Sequence, residues 1–464
     1  MEYDCLVVGA GIGGLSAAHE LSRSGLRVLV VEADIQVGGV MRSEQTPDGF
    51  LLEHGPNTVT SGDPALHDHF AELNIAVERL VAQREGARRY VLHGGALLPI
   101  PMSPPAFLRS RLLSTGAKLR MFAELLMPRT PASDESVAAF FIRRLGPEPF
   151  ERLIDPFISG VYAGDPRALS ARASFARLWA AEQRAGSIVR GLIGARSHKP
   201  RPARRAPREL FSFRAGLAAW PQAIADKLGA ERLWLGARAV ALRQIFDGWE
   251  LTVQRPGQID PLVAHHVLLA VPAPVAAGLI ENYDSAAAMA LRAIDYPPVS
   301  VVHLGYRRAA VAHPLDGFGM LCPASEGRKV LGTLWPSALF AGRASEGMVL
   351  TSSFVGGARY PALAQQSDEA LIEQVHGEQQ ALIGASEEPV LARVARWPQA
   401  IPQYNAGHIQ RLAVLEHCEA RLAGLHLLGN YRDGVSVERA WQRGREQAQS
   451  VIAAFQPASY KLSG

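Results

Sequence analysis

The chain has 464 residues, more than a single hydrophobic core usually serves, and it is 48% apolar and 20% charged, which excludes disorder and sets an expectation of two or three globular domains. The net charge of +4 is small for this length, but the stretch from Arg184 to Arg208 carries Lys and Arg with no Asp or Glu among them. Cys5, Cys322 and Cys418 are too few and too far apart for a disulfide framework or a zinc motif, and no run reaches the roughly 18 apolar residues of a membrane span, so a reducing cytosol and at most peripheral or monotopic membrane contact are expected.

Met1-Glu2-Tyr3-Asp4 is acidic and leads straight into a short apolar run, unlike a signal peptide. Cys5-Leu6-Val7-Val8 reads as a buried parallel strand, and Gly9-Ala10-Gly11-Ile12-Gly13-Gly14 follows it as the glycine turn of a dinucleotide fold. Gly9 allows the tight turn, Gly11 lets the backbone approach a pyrophosphate, and Gly14 lets the next helix pack on the strand. That helix, with Leu15, Ala18, Leu21 and Ser22 at helical spacing, points its amino terminus at the phosphates and stops at Gly25. Arg27 to Val31 supplies the second strand, and Glu32, followed by Ala33, ends it where a ribose hydroxyl would lie.

The pair Gly38-Gly39 and then Arg42 resemble FAD proteins of the amine-oxidase type, which carry a second glycine pair and an arginine just after the acidic residue. His54-Gly55-Pro56-Asn57-Thr58 is similar to the loop that covers the flavin ring in such proteins; taken alone it is a Pro-Asn turn. Pro99, Pro101, Pro104 and Pro105 open a stretch that continues to about Arg208 with helical periodicity through Leu112, Leu119, Phe122, Leu125 and Leu126. Its apolar face and the arginines up to the loop Arg196–Arg208 suit an anionic membrane, the alternative being a helical lid with a basic loop. No groove-reading motif accompanies these arginines, so nucleic acid is not expected as a partner.

Beyond it, Leu210 to Leu217 and Trp220-Pro221 open a helix, and Ala239 to Leu242, Trp249 to Val253 and His266 to Val271 read as strands, with Val240 either against an adenine or in the core. Near the end, Leu425 to Leu428 form a buried strand, and the segment Val435-Ser436-Val437 begins a helix whose free N–H groups can face a phosphate or the flavin pyrimidine edge. Glycine-rich helix starts after strands at both ends of the chain favour one discontinuous FAD domain.

Several blocks carry a closer resemblance: Gly9 to Glu32, Gly55 to Thr58, Arg89-Tyr90-Val91-Leu92, Ser159-Gly160-Val161-Tyr162-Ala163-Gly164-Asp165-Pro166, Phe354-Val355-Gly356-Gly357 and Ile401-Pro402-Gln403-Tyr404 are similar to the protoporphyrinogen oxidase family. The Gly160–Pro166 block is the most specific of them, because no general flavoprotein architecture demands it. One departure is Glu438-Arg439-Ala440-Trp441, where the family commonly has a Pro-Asp-Cys-Ile type of sequence.

The resemblance implies an α/β fold: a Rossmann-type discontinuous FAD-binding domain (1–85, 209–285 and 405–464), a mixed-sheet substrate domain (86–98 and 286–404), and a helical, membrane-associated insert (99–208). It implies oxidation of a porphyrinogen in three FAD-mediated two-electron steps, with O2 as acceptor and hydrogen peroxide as product. By position in the matched motifs, Leu321, Leu334 and Phe354 clamp the macrocycle, Arg89 anchors a carboxylate, Gly164 lies beside the substrate and Trp397 beside the cofactor. It also implies a place at the inner face of the cell membrane, and a homodimer and hand-over to ferrochelatase as partners. A metal is not expected, and no side chain is assigned as catalytic. Alternatives are a coproporphyrinogen oxidase, an amine oxidase or carotenoid-type desaturase, and a tetrapyrrole-binding flavoprotein without catalysis.

Overall fold

A computed structural model describes residues 2–83, 88–128, 134–197 and 208–455. Most of the basic loop Arg196–Arg208 therefore lies outside the described residues.

The strand Tyr3–Val8 sits inside a seven-stranded sheet, hydrogen-bonded in parallel to Val28–Val31 on one side and to Gln258–Leu269 on the other. Leu233–Trp234 extends the first edge; Gly248–Arg255 and Arg238–Ile245 continue the other as an antiparallel pair, and Leu425–Leu427 adds in parallel to Gln258–Leu269. A central strand covered on both faces must be apolar at every position. Accordingly Cys5 and Val7 pack into one cluster with Trp220 and Trp441, while Leu6 and Val8 pack into another with Trp249, Ala276 and Leu415. The first face is covered by the helices Ile12–Arg23 and Val437–Phe455, which run against each other. The sequence separation of these helices follows from the sheet: residues 425–427 return to the strand next to Tyr3–Val8.

A second seven-stranded sheet has the order Leu391–Trp397, Val299–Arg307, Met348–Gly356, Gly332–Leu334, Gly319–Leu321, Tyr90–His93, Ala96–Pro99. One face buries Leu92, Val302, Leu304, Met320 and Val355 together with Leu371 and Val375 of the helix Asp368–Ile383. The opposite face is only partly covered. Phe354 lies within its strand, two residues before the end.

The described residues between 104 and 197 are largely helical, with Pro104–Arg109, Thr115–Phe122, Val137–Leu145, Asp155–Tyr162, Ala176–Ala185 and Ile188–Ser197 as their main helices. Ser103, Ser114 and Ser136 cap three of them by accepting a backbone N–H. Val137, Phe140, Phe141, Phe150 and Ile158 make the core of this region. Through it runs a buried ion network in which Arg144 donates from Nε to Glu182 at 2.8 Å and Arg143 donates to the same carboxylate at 2.8 Å. Leu112 is buried and Leu125 half-buried, whereas Met102, Leu108, Leu119, Phe122 and Leu126 are exposed, as are Phe157, Val161 and Ile193 farther along. Among the described residues no helix is long and apolar enough to cross a membrane.

Candidate functional site

The glycine turn after the first strand is held by geometry that side chains would destroy. Gly9 has φ +104°, and a Cβ there would lie 2.3 Å from the Ala270 carbonyl oxygen. A Cβ on Gly14 would lie 2.0 Å from the Gly9 oxygen, and one on Gly13 would press on Ala440 at 3.2 Å. Gly11 differs: it caps the helix in extended conformation, and a Cβ on it meets nothing within 4 Å. Neither a side-chain cap nor an acidic residue satisfies the N–H groups of this 12-residue helix, and Ile12 follows the cap directly. Open space beside a bare helix amino terminus is what a diphosphate requires.

Glu32 stands at the end of the second strand, where its carboxylate accepts the Ala10 N–H at 2.6 Å and the Asp34 N–H at 2.8 Å. Ala33 is exposed beside it. The Asp34 and Glu32 carbonyls in turn receive the N–H groups of Gly236 and Ala237, which brings the strand carrying Val240 to this end of the sheet. Val240 falls at a bulge between Ala239 and Ala241 and is exposed, so it is not a core residue.

Facing Gly11 is the second glycine pair. The Gly38 N–H donates to the Ala10 oxygen at 2.8 Å, and the nearest neighbour of a Cβ on Gly39 would be the Gly11 Cα at 3.4 Å. Arg42 donates to the Gly39 oxygen at 2.9 Å, pairs with Asp34, and lies over the Trp397 ring at 5.6 Å. Next to it the His54 N–H donates to the Arg42 oxygen, while a Cβ on Gly55 would lie 2.0 Å from the Val40 oxygen. Pro56 and Thr58 are half-buried; Asn57 is buried, donating to the Gly55 oxygen at 3.1 Å while its Oδ1 has no partner among the described residues. The two loops thus form one cradle with an orphaned buried acceptor in it, and the residues present fit an FAD.

Trp397 links this cradle to the second sheet by donating from Nε1 to the His54 oxygen at 2.7 Å. It pairs with Val299, and the register of the sheet then determines what shares its side: Val301 with Phe354, Phe354 with Gly332, Gly332 with Leu321, and Gly319 with Leu334. Directly opposed residues project to the same face, as do residues two apart. Leu321, Leu334 and Phe354 therefore stand on one face, all half-buried, separated by Gly319 and Gly332. The result is a broad apolar floor whose low points are glycines.

His303 lies on the same face, hydrogen-bonded through Nδ1 to Ser352 at 2.9 Å, with its ring 5.5 Å from that of His54. Burial drives its pKa down to about 3, so it is a neutral imidazole. Gly160 of the helix Asp155–Tyr162 closes the edge of the floor, since a Cβ on it would lie 2.3 Å from Leu321 Cδ2. Arg89 is exposed just before the strand Tyr90–His93, its guanidinium 5.3 Å from the Phe318 ring, with no carboxylate partner among the described residues. Gly164 lies farther along the same block, close against Gln403 and Leu169, which a Cβ would meet at 2.5 and 2.8 Å.

At the carboxyl end, Val435 and Val437 are half-buried and Ser436 is exposed, its hydroxyl accepting the Arg439 N–H at 3.2 Å. Sequence reasoning missed what holds this loop. Tyr404 donates its hydroxyl to the Asn430 oxygen and accepts the Gly434 N–H at 2.9 Å. The only sequence signal was its place in the Ile-Pro-Gln-Tyr block. Asp34, the partner of Arg42, was missed too. Glu438 accepts the Ser61 hydroxyl at 2.5 Å, so the Glu-Arg-Ala-Trp departure is accommodated locally, with Trp441 buried.

A dinucleotide cradle joined at the His54–Trp397 contact to a second sheet with an open apolar face defines a two-part flavoprotein oxidoreductase. The chain belongs to the flavin-containing amine oxidoreductase family, whose model matches residues 12–452. Within that family it is similar to chloroplastic protoporphyrinogen oxidase of Nicotiana tabacum, at 35% identity over 99% of this chain and 87% of the relative. The human protoporphyrinogen oxidase is 31% identical over 96% of this chain and 98% of its own length. Among solved structures, cyclohexylamine oxidase of Brevibacterium oxydans has a TM-score of 0.69 at 17% identity, covering 98% of this chain and 99% of its own. That likeness speaks for the fold alone.

Proposed function

We propose that this chain oxidises protoporphyrinogen IX to protoporphyrin IX near the end of haem synthesis, removing six electrons in three two-electron steps, with three O2 reduced to three hydrogen peroxide. The observation that carries this reading is the 35% identity to a protoporphyrinogen oxidase over 99% of the chain. The face bearing Leu321, Leu334 and Phe354 supports it, because a large apolar macrocycle needs a broad apolar surface and a glycine-spaced sheet face supplies one.

In this reading the Gly11 helix start holds the FAD diphosphate, Glu32 the ribose, Val240 the adenine side, and Val435 to Val437 the flavin end. Bound FAD supplies hydride acceptance at N5. The chain's own residues bind and orient the substrate: the apolar floor excludes water from the ring, and Arg89, with no internal carboxylate partner among the described residues, would receive a propionate. The test is porphyrin fluorescence on mixing FAD-loaded protein with protoporphyrinogen or coproporphyrinogen in air. Faster oxidation of the dicarboxylate is expected; preference for the tetracarboxylate would refute the assignment.

The proposal includes a peripheral or monotopic seat on the inner face of the cell membrane. Its support is the exposed apolar side of Met102, Leu108, Leu119, Phe122 and Leu126, next to Lys118 and Arg109. Leu126 is 88% exposed, a poor place for leucine in water. Flotation with acidic liposomes is expected to carry the protein and to lose Leu126→Asp; equal flotation of both would refute the seat. A homodimer and hand-over of product to ferrochelatase complete the proposal. Sedimentation, and product transfer to added ferrochelatase in the presence of a porphyrin trap, test the two.

A further inference from the structure

We propose that His19, His69 and Glu72 form a binding site for a divalent borderline metal of the zinc class, which ties the helix Pro64–Glu72 to the helix Ile12–Arg23 of the nucleotide-binding sheet. One ligand atom from each residue lies within 4.8 Å of the others. His19 is 3% exposed and His69 6% exposed, and the Nε2 atoms of both have no hydrogen-bond partner among the described residues. Two orphaned nitrogens side by side in a core are costly unless something is to be bound between them.

His69 and Glu72 are three residues apart on one helix and so share a face, and His19 comes across from the other helix. Their rings are 5.5 Å apart and tilted by 72°, so they are not stacked on each other. His19 Nε2 is 3.6 Å from Glu72 Oε1, too long for a hydrogen bond. A tetrahedral zinc with bonds of about 2.0–2.2 Å separates its ligand atoms by about 3.4 Å, so the site closes by about an ångström when filled. Glu72 is 28% exposed, which provides the entry path and leaves the fourth position to water.

Arg23 lies 3.0 Å from the same Glu72 oxygen and competes for it, with Glu20, Lys227 and Arg445 around the two histidines. Trp441 and Trp220 stand 5.2 and 6.1 Å from His69, so a metal here fastens the point where four separate stretches of the nucleotide-binding core meet.

The test uses FAD-loaded protein stripped with chelator, dialysed against micromolar zinc and then against metal-free buffer. About one zinc per chain and a rise in Tm of about 3 °C are expected. Glu72→Gln, at a partly exposed position where folding is preserved, is expected to lose both. Arg23→Ala removes the competitor and is expected to bind zinc at least as tightly as the wild type, an outcome that a purely structural role for Glu72 would not produce. Zinc content below one in ten chains, or the same content and Tm shift in Glu72→Gln, would overturn the proposal and leave a neutral histidine pair packed on two tryptophans.

Discussion

Replacing Gly11 by valine separates the fold from its cofactor. The residue has φ −69° and ψ 170°, open to any amino acid, and a Cβ there finds no protein atom within 4 Å. The cost to the protein is that of a poorer helix cap, about 1 kcal/mol at most. The cost to the cofactor is much larger, since the branched side chain fills the space through which the diphosphate approaches the helix N–H groups. A 100-fold loss of FAD affinity, about 2.7 kcal/mol, is the minimum expected. Gly14→Ala is the matched control: its methyl would lie 2.0 Å from the Gly9 oxygen, so it should damage the fold itself. The ratio of absorbance at 450 and 280 nm after gel filtration reads FAD content, and thermal unfolding of the FAD-free forms reads stability. Gly11→Val should be flavin-free, with an apo Tm within about 3 °C of the wild-type apo form, whereas Gly14→Ala should fall well below it. Stoichiometric flavin in Gly11→Val, or an apo form as unstable as Gly14→Ala, would refute the reasoning.

Arg89→Ala should raise KM for the porphyrinogen by about tenfold with FAD content unchanged, as for loss of one charge-assisted contact; an unaltered KM contradicts the anchor role. Glu182→Gln removes the closer of the two buried carboxylates beside Arg144, leaving Glu124 at 3.7 Å, and should cost about 2 kcal/mol, read from the urea midpoint. On acidification, stability should fall between about pH 6.5 and 4. His303, His408 and His426 have pKa values pushed down by burial to about 3, 4 and 4, so over that range the unfolded chain takes up protons that the native chain refuses. Each contributes a loss of about 1.4 kcal/mol per pH unit. Glu53, raised to about 7 by burial, opposes them as a single group, because its native carboxyl takes up the proton first. Urea midpoints that rise from pH 6.5 to 4.5 would contradict this balance.

Local physics made the nucleotide end readable. The run Cys5–Val8 is apolar without alternation because both faces are covered, the glycines follow because two of them have backbone oxygens where a Cβ would go, and Glu32 ends the next strand at the same level. The family resemblance was legible in blocks such as Gly160–Pro166. Less legible was which side of a strand each residue takes: Leu321, Leu334 and Phe354 are a floor because register aligns them through Gly332 and Gly319, and that register is set by pairings between separate strands, such as Gly332 with Phe354.

Val240 shows the same limit, its pattern allowing a place against an adenine or in the core until a bulge at Ala239/Ala241 leaves it exposed. By itself, then, the sequence determined the dinucleotide turn, the family and the presence of a helical insert, all of which rest on contacts within about 30 residues or on matched motifs. Only the tertiary structure decided the apolar floor, the hold of Tyr404 on the carboxyl-terminal loop 30 residues away, and the meeting of His19 with His69. Each of these depends on which distant surfaces pack together, and a one-dimensional pattern does not encode the partner of a face, only that the face needs one.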